Sequence, residues 1–359
     1  MLSSFADIPD EIRRRVAGGE RVVLILLDAL GLEFLRRHRG HPLVQRLEVT
    51  PLRSQFPSTT TAHVTTAHFG LPVEDHGLYE WNILEPALDA IICPLRFNLA
   101  GSEVEGTLAG RLDPAALAPG PTFYETLGVP TVVLQPRRIA GSAFTRLATR
   151  GAIVHGFDGL DEGIRALTAA FAYRHGQRDP EYAFLYWDLI DRAGHEYGPS
   201  SPEFEAASRS ALDALWNGLR DLQDLTVLVT ADHGQVDVSP TRVDYLDDLW
   251  PGLPSLLSHP RPAGSSRDAF LHVREGRVET VSRELSARLG DRAEVRPAAE
   301  LFDRIGPRLR ARLGDVAVLS APGRQVWLRR AAANEGWFRG QHGGLDDDET
   351  GTYLAEVQN

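Results

Sequence analysis

Short, almost wholly apolar runs recur along the chain, at residues 21–28, 130–136, 152–157, 183–188 and 226–232. A continuous apolar run of this length is typical of a β-strand that is buried on both faces. Residues 161–176 and 202–223 instead repeat their apolar positions at helical spacing. Strands that alternate with helices predict an α/β fold, in which a mainly parallel central sheet carries helices on both faces.

The pattern changes after about residue 251. Residues 249–266 are rich in proline, glycine and serine, which indicates a boundary. Beyond it the spacing predicts strands at 269–276, 293–297 and 315–320, with a helix at 278–290. We therefore expect one main α/β domain made of residues 1–261 and 321–359, with a small, lid-like α/β insertion at 262–320. A second stretch, 78–125, is rich in proline, glycine and aromatic residues, and we expect loops or a partial lid there.

Composition excludes several kinds of chemistry. All 38 basic residues are arginine, so the chain has no lysine. Lysine-dependent functions are therefore excluded, among them Schiff-base catalysis, P-loop NTPases and protein kinases of the usual design. A single cysteine, Cys93, excludes a disulfide framework and a four-cysteine zinc site. Carboxylates, imidazoles, hydroxyls and metal ions remain as the groups that can carry chemistry.

Charge and hydropathy bear on partners and location. The formal charge of −11 argues against non-specific binding to nucleic acid or to an anionic membrane. The apolar run from Val22 to Leu27 is too short to span a bilayer, and the first twenty residues lack the apolar stretch of a signal peptide. We expect a cytoplasmic protein that acts on a small molecule, without nucleic acid polymers or membranes as partners.

Acidic and imidazole side chains follow three of the predicted strands. Because the carboxyl ends of parallel strands meet at one edge of a sheet, these side chains should lie close together. Each alone has a simpler explanation as a helix cap, a turn residue or a core histidine. Together they are suited to zinc or manganese, and six ligands are too many for one zinc ion but fit two. The candidate ligands are Asp28, Asp191, His195, Asp232 and His233, with His342 from a late glycine-rich segment.

A candidate nucleophile lies in residues 49–70, where a short strand is followed by Phe56-Pro57 and then a run of hydroxyl side chains. Ser58, Thr59 and Thr60 open a predicted helix, whose N-terminus favours phosphoryl oxygens. Any of the three hydroxyls can instead simply cap that helix. A metal ion bound to the hydroxyl would lower its pKa and supply the alkoxide that a nucleophile needs.

Five motifs resemble the alkaline phosphatase superfamily, and within it the type I phosphodiesterase / nucleotide pyrophosphatase family. They are FPSTT near residue 60, EDHG at 74–77, DRAGHEYGP at 191–199, TADHG at 230–234 and GQHGG at 340–344. The resemblance implies that Thr60 is the nucleophile and that two zinc ions are bound. It further implies one metal site of Asp28, Thr60, Asp232 and His233, and a second of Asp191, His195 and His342.

The sequence departs from the family pattern beside the nucleophile. The family's asparagine, which donates to a phosphoryl oxygen, is replaced by His63, and an aromatic residue that stacks on a base is replaced by Thr61. Three residues beyond Thr60, His63 shares its helix face, so we expect either a catalytic imidazole or a histidine packed against a loop. Tyr186 and Trp187 are left as aromatic faces for an apolar leaving group, with Trp187 equally suited to the core.

The expected function is a two-metal phosphodiesterase that acts by in-line displacement through a phosphothreonine intermediate. The resemblance leaves open a phosphonate (C–P) hydrolase, and a non-catalytic binding protein of the same fold. A sulfatase is disfavoured because Cys93 is wrongly placed, and a phosphoglycerate mutase because lysine is missing. No arginine lies between Arg53 and Arg96, so the nucleophile segment has no cation for a dianionic monoester, unless a distant residue such as Arg267 supplies one.

Overall fold

Helices and strands alternate along the chain in the computed structural model, which describes residues 2–172, 180–219, 222, 224–331 and 338–358. Its strands are β1 (Val22–Leu27), β2 (Leu47–Arg53), β3 (Ile83–Glu85), β4 (Ala90–Cys93), β5 (Asn98–Leu99), β6 (Thr131–Pro136), β7 (Ile153–Phe157), β8 (Tyr182–Trp187), β9 (Thr226–Thr230), β10 (Val236–Asp237), β11 (Val243–Tyr245), β12 (Ala263–Gly264), β13 (Asp268–Leu271), β14 (Ala293–Pro297), β15 (Val316–Ser320), β16 (Gln325–Trp327), β17 (Gly340–Gln341) and β18 (Gly351–Val357). Its α-helices are α1 (Ile8–Ala17), α2 (Leu32–Arg37), α3 (Thr60–Phe69), α4 (Val73–His76), α5 (Phe123–Leu127), α6 (Arg137–Ala140), α7 (Ala143–Ala148), α8 (Leu160–Ala172), α9 (Leu189–Tyr197), α10 (Pro202–Gly218), α11 (Leu246–Leu249), α12 (Val278–Leu289), α13 (Pro307–Arg312) and α14 (Asp347–Thr350).

The central sheet has seven strands in the order β2-β18-β9-β1-β8-β6-β7. Strands β9, β1, β8, β6 and β7 are parallel, whereas β18 runs antiparallel to both of its neighbours. The register pairs Leu27 of β1 with Trp187 of β8, and Leu26 with Thr230 of β9. Strands β1, β8 and β9 therefore end at one edge of the sheet, as the sequence predicts.

Both faces of this sheet are covered. Even-numbered residues of β1 lie in one hydrophobic cluster and odd-numbered residues in the other, because successive strand side chains point to opposite faces. Helices α1, α3, α5 and α7 contribute to the first cluster, and α8, α9 and α10 to the second. The predicted α/β fold, with its mainly parallel sheet and two helical layers, is confirmed. The last residues of the predicted helix 161–176 lie outside the described part of the chain.

A separate four-stranded antiparallel sheet, β12-β13-β15-β14, lies within residues 263–320. Helix α12 packs against β14 and β15, so the strands and helix predicted for this segment are present. Its hydrophobic cluster also takes in Leu246, Leu253 and Trp327, from outside the predicted insertion. The division into two domains at residues 262 and 320 stays a prediction.

Residues 78–125 do not consist of loops alone. Strands β3, β4 and β5 form a small antiparallel sheet within this segment. Its first residues are held to the neighbouring sheet, because the Gly264 N–H donates to the Asn82 carbonyl at 2.7 Å. In the described part of the chain, no helix combines the length and apolar character that a membrane crossing requires.

Candidate active site

The carboxyl ends of β1, β8 and β9 lie side by side, because the three strands are parallel neighbours in register. Asp28 follows β1 directly, Asp232 and His233 follow β9, and α9 begins just beyond β8 and carries Asp191 and His195 one turn apart. The segment after β17 brings His342 to the same place, where its ring stacks on that of His233 with centroids 3.8 Å apart. All six predicted ligands therefore lie together at the carboxyl edge of the sheet.

The first group of ligand atoms surrounds the Thr60 hydroxyl. Thr60 is the first residue of α3, and its Oγ1 lies 3.4 Å from both carboxylate oxygens of Asp28 and 3.2 Å from His233 Nε2. The same Nε2 is 3.6 Å from Asp28 Oδ1 and 3.4 Å from Asp232 Oδ2. These four residues are the set that the resemblance implies for one metal ion.

The second group lies beside the first. Asp191 Oδ1 is 3.4 Å from His195 Nε2 and 3.6 Å from His342 Nε2, and the two Nε2 atoms are 3.2 Å apart. Ligand atoms of Asp28, Asp191 and His233 also lie within 4.8 Å of one another, so Asp191 links the two groups. This proximity fits two metal ions that share one pocket.

The histidine tautomers fit metal binding. Each Nδ1–H donates to a backbone carbonyl: His195 to Gly340 at 2.9 Å, His342 to Ser58 at 2.9 Å and His233 to Gly234 at 3.0 Å. A backbone acceptor on Nδ1 leaves the Nε2 lone pair for a metal ion and fixes the plane of the ring. All three Nε2 atoms face the centre of the site, so the donor set suits zinc or manganese.

Electrostatics favour a bound cation. Burial raises the pKa of Asp28 well above its usual value, and the nearby carboxylates of Asp232 and Asp191 raise it further. Burial likewise raises the pKa of Asp232 to about 7 and that of Asp191 above its usual value. Asp232 Oδ2 is buried and has no hydrogen-bond partner within the described residues. Buried carboxylates of one charge are costly unless a cation compensates them.

His63 lies three residues beyond Thr60 in α3, with its ring centroid 6.4 Å from that of His233. Its ring is fully buried, Nε2 accepts a hydrogen bond from the Gln55 N–H at 2.9 Å, and Nδ1 therefore donates to the Thr59 carbonyl at 2.6 Å. Burial lowers the pKa of His63 to about 4. With both ring nitrogens hydrogen-bonded to the protein, His63 fits the packed histidine that the sequence left open, and its catalytic role stays a prediction.

Tyr186 and Trp187 are both buried at the end of β8. The Tyr186 hydroxyl donates to Asp28 Oδ2, so the residue holds a candidate metal ligand and does not present a face to substrate. Trp187 is stacked on Phe157 in the core, with ring centroids 5.9 Å apart. Neither residue lines the cavity above the candidate metal ligands, so that cavity does not support the predicted substrate contact of Tyr186, which stays a prediction.

A cavity of about 360 Å³ opens above Thr60, Asp191, His195 and His342. Several of its wall residues carry no sequence motif and were missed, because only the folding of residues 80–103 against the main sheet brings them here. Asn82 is an amide donor, and Trp81 and Phe338 are the exposed aromatic residues of the wall. The remaining polar lining residues of that wall include Glu80, Arg96, Asn98, Ser102 and Glu103.

Arg267 is not available to the cavity. Its guanidinium is buried in ion pairs with Asp346 and Glu349, both at 2.8 Å. Arg96 is therefore the cation that lines the cavity within the described residues, and its Nε donates to Glu105 at 3.2 Å. Beyond any bound metal ions, the cavity thus has little positive charge to offer a substrate.

Sheet order, strand-end carboxylates and paired histidine groups together define a metal-hydrolase architecture of the alkaline phosphatase superfamily. The family model for type I phosphodiesterase / nucleotide pyrophosphatase matches residues 22–345, so the chain belongs to that family. Venom phosphodiesterases 2 and 1 of Crotalus adamanteus are each 27% identical over 207 residues, which is 54% of this chain. The matched part spans 24% and 22% of their lengths, about a quarter of each.

Solved structures share the fold. Murine ectonucleotide pyrophosphatase / phosphodiesterase 5, as an inactive variant in complex with AMP, superimposes with a TM-score of 0.71 at 16% identity. That alignment covers 94% of this chain and 87% of the murine chain. The human protein gives a TM-score of 0.70 at 15% identity, covering 94% and 87%. At this identity the likeness establishes the fold alone.

Proposed function

We propose that this chain hydrolyses small phosphodiesters, nucleotide-like ones included, with Thr60 as its nucleophile and two divalent metal ions as its cofactors. One observation carries the proposal: the Thr60 hydroxyl lies against Asp28 and His233, at the junction of two groups of ligand atoms that share Asp191. Family membership, the venom phosphodiesterases and the AMP bound to a structural neighbour support the substrate class.

The residues divide between two metal sites. Asp28, Thr60, Asp232 and His233 would hold one ion, and Asp191, His195 and His342 the other. Zinc is the expected metal, and manganese suits the same nitrogen and oxygen donors. When bound, two such ions supply Lewis acidity, which neutralises the carboxylates, lowers the pKa of a bound hydroxyl and stabilises both the attacking and the leaving oxygen.

Thr60 Oγ1 attacks phosphorus from one side while the ester oxygen departs on the other. The start of α3 fixes the direction of the attacking hydroxyl, and Asp28 and His233 hold it there. The phosphoryl group, which still carries its other ester, is transferred to Thr60 and the leaving group departs as the alcohol. Water then cleaves the bond to Thr60, which releases the phosphate monoester and restores the hydroxyl. Asn82 lines the same cavity; its Nδ2 donates one N–H to the Gly264 carbonyl at 3.2 Å, which leaves the second N–H for a phosphoryl oxygen.

Charge favours diesters over monoesters. Two divalent ions less three aspartates and an ionised threonine leave the site nearly neutral, and Arg267 is engaged elsewhere. A monoester brings close to two negative charges, which neutral donors stabilise poorly in a partly desolvated cavity. We expect kcat/KM for bis(p-nitrophenyl) phosphate to exceed that for p-nitrophenyl phosphate by about tenfold or more, equal to about 1.4 kcal/mol.

Elemental analysis with a substrate panel tests the proposal. Purified protein should carry about two divalent ions, and His342→Ala should lose about one of them together with most activity. The panel holds the two nitrophenyl esters, phosphonoacetate and p-nitrophenyl sulfate at one pH and metal concentration. A metal-free, inactive protein would contradict the enzyme assignment. Turnover of phosphonoacetate in place of the diester would assign the C–P hydrolase reaction.

The expected partner is a small-molecule phosphodiester. Binding of nucleic acid polymers and of membranes is not expected from the acidic charge of −11. The cytoplasmic location stays a prediction, and fractionation of the source cells against a compartment marker tests it.

A further inference from the structure

Gln235 lies two residues beyond His233 and reaches across to the other group of ligands. Its side chain is 1% exposed, and Nε2 donates both to Asp191 Oδ1 and, at 3.1 Å, to the Asp191 backbone carbonyl. Asp191 Oδ1 is the atom nearest to His195 and His342. The segment that carries His233 thus holds the carboxylate of a ligand in the second group.

Two glycines make room for this side chain. A Cβ at Gly194 would lie 1.9 Å from Gln235 Oε1, and a Cβ at Gly340 would lie 2.8 Å from the same atom. Gly194 directly precedes His195 in α9, and Gly340 lies two residues before His342. Both segments that supply the second group's histidines therefore close around the Gln235 amide.

The position of the Gln235 amide is not explained by a contribution to the stability of the fold. Its Oε1 is buried with no hydrogen-bond partner within the described residues, and a buried unsatisfied acceptor lowers stability. An apolar side chain of the same length would avoid that penalty but could not donate to Asp191. An ionised carboxylate accepts hydrogen bonds only, which fixes Nε2 as the atom that faces it.

We propose that Gln235 is a positioning residue that orients the Asp191 carboxylate toward the metal ion of the second group. This inference rests on the proposed two-metal function. Groups that hydrogen-bond to metal ligands fix the direction of the ligand lone pair, and their loss typically weakens metal binding 10–100-fold. Tyr186, which donates to Asp28, has the corresponding place in the first site.

The test compares metal affinities of four proteins: wild type, Gln235→Met, Tyr186→Phe and Gln135→Met. Gln135 is a matched control, since it is a buried glutamine that donates to a neutral partner, Thr145 Oγ1, at 2.9 Å. Competition with a chromogenic chelator measures the Kd of each Zn²⁺ ion, and Mn²⁺ is titrated in parallel. For Gln235→Met we expect one Kd to rise about 10–100-fold while the other stays within about threefold.

The variants should differ in which ion they weaken. Double variants with His342→Ala identify the ion, because Gln235→Met should weaken the ion that His342→Ala removes and Tyr186→Phe the ion that remains. Excess metal should restore most of the kcat of Gln235→Met, a response that misfolding would not give. Gln135→Met should bind both ions as the wild type does.

The outcomes separate the two proposals. A wild-type protein that binds no divalent ion contradicts the proposed function itself. A wild type with two ions, together with a Gln235→Met protein of unchanged affinities, overturns the role of Gln235 alone. Should Gln235→Met fail to fold, Gln235→Asn carries the same comparison, because its amide stops one methylene short of Asp191.

Discussion

Ser58, Thr59 and Thr60 carry adjacent hydroxyl groups, and each has a different environment. Ser58 Oγ donates to the Gly344 carbonyl at 3.0 Å. Thr59 caps α3 by accepting from the Ala62 N–H, and it donates to the Tyr79 carbonyl at 3.2 Å. Thr60 alone of the three turns its hydroxyl toward candidate metal ligands. The backbone at the helix start therefore separates one candidate nucleophile from two structural hydroxyls.

Thr60→Ala should abolish turnover, by at least about 10³-fold, because it removes the attacking oxygen. Metal content should stay near the wild-type value, since Asp28, Asp232 and His233 remain. Thr59→Ala is the matched control: it should lower the free energy of unfolding by about 1 kcal/mol through loss of the cap, with turnover within a few-fold of wild type. Steady-state kinetics, elemental analysis and urea unfolding measure these effects, and the reverse pattern would move the nucleophile to Thr59.

At the scale of elements, one buried ion pair anchors the wall of the cavity. Arg312 at the end of α13 donates to Glu85 at the end of β3 at 2.9 Å, and each side chain is 5% exposed. Arg312 Nε and Nη1 have no further partner within the described residues. The small sheet that follows Trp81 and Asn82 is therefore joined to α13 by a buried ion pair, in addition to the hydrogen bonds between Asn82 and Gly264.

Glu85→Gln should lower the free energy of unfolding by about 3–5 kcal/mol, because it leaves the Arg312 charge buried without a counter-charge. The double variant Glu85→Gln/Arg312→Met removes that charge and should recover much of the loss. Urea unfolding of both variants and of Arg312→Met completes a double-mutant cycle. Equal stabilities of the single and double variants would mean that the pair is not what holds this sheet.

At the scale of the whole molecule, two sets of buried groups oppose each other as pH changes. Burial lowers the pKa of His63 to about 4, and of His68 and His76 to about 3, so these rings stay neutral in the fold while the unfolded chain takes up protons below about pH 6.5. Stability therefore falls as pH drops below 6.5.

Asp28 and Asp232, with raised pKa values, hold protons in the fold that the unfolded chain has lost. Stability therefore also falls as pH rises through about 7.

Metal-free protein should thus be less stable at pH 8.5 than at pH 6.5. A saturating divalent metal replaces the protons on the aspartates, so the rise in Tm on adding metal should be larger at pH 8.5 than at pH 6.5. Glu80 and Asp268, whose pKa values are also raised by burial, are not candidate ligands and contribute equally with and without metal. Calorimetry at both pH values, with Asp232→Asn as control, measures the difference; an equal metal effect at both would contradict it.

The sequence by itself determined the α/β class, the central strands and the positions of six candidate metal ligands. It could do so because a strand buried on both faces is apolar throughout, and because residues after parallel strands must meet at one edge. The position of β18 between β9 and β2 was not predictable, because no local pattern shows that β18 pairs antiparallel with these two strands.

Only the tertiary structure decided which way the remaining side chains point. Helical spacing put His63 near Thr60, but it could not show that Ser54 and Gln55 would hydrogen-bond the His63 ring within the core. Tyr186 lies in a buried strand, and its local sequence marks it only as a core residue. Its hydroxyl donates to Asp28, which follows the neighbouring strand β1, and this contact exists only in the folded chain. The roles proposed for Gln235 and Asn82 depend on contacts with residues that are distant in sequence. Local pattern specifies elements, whereas a hydrogen bond between distant segments exists only once those elements have packed.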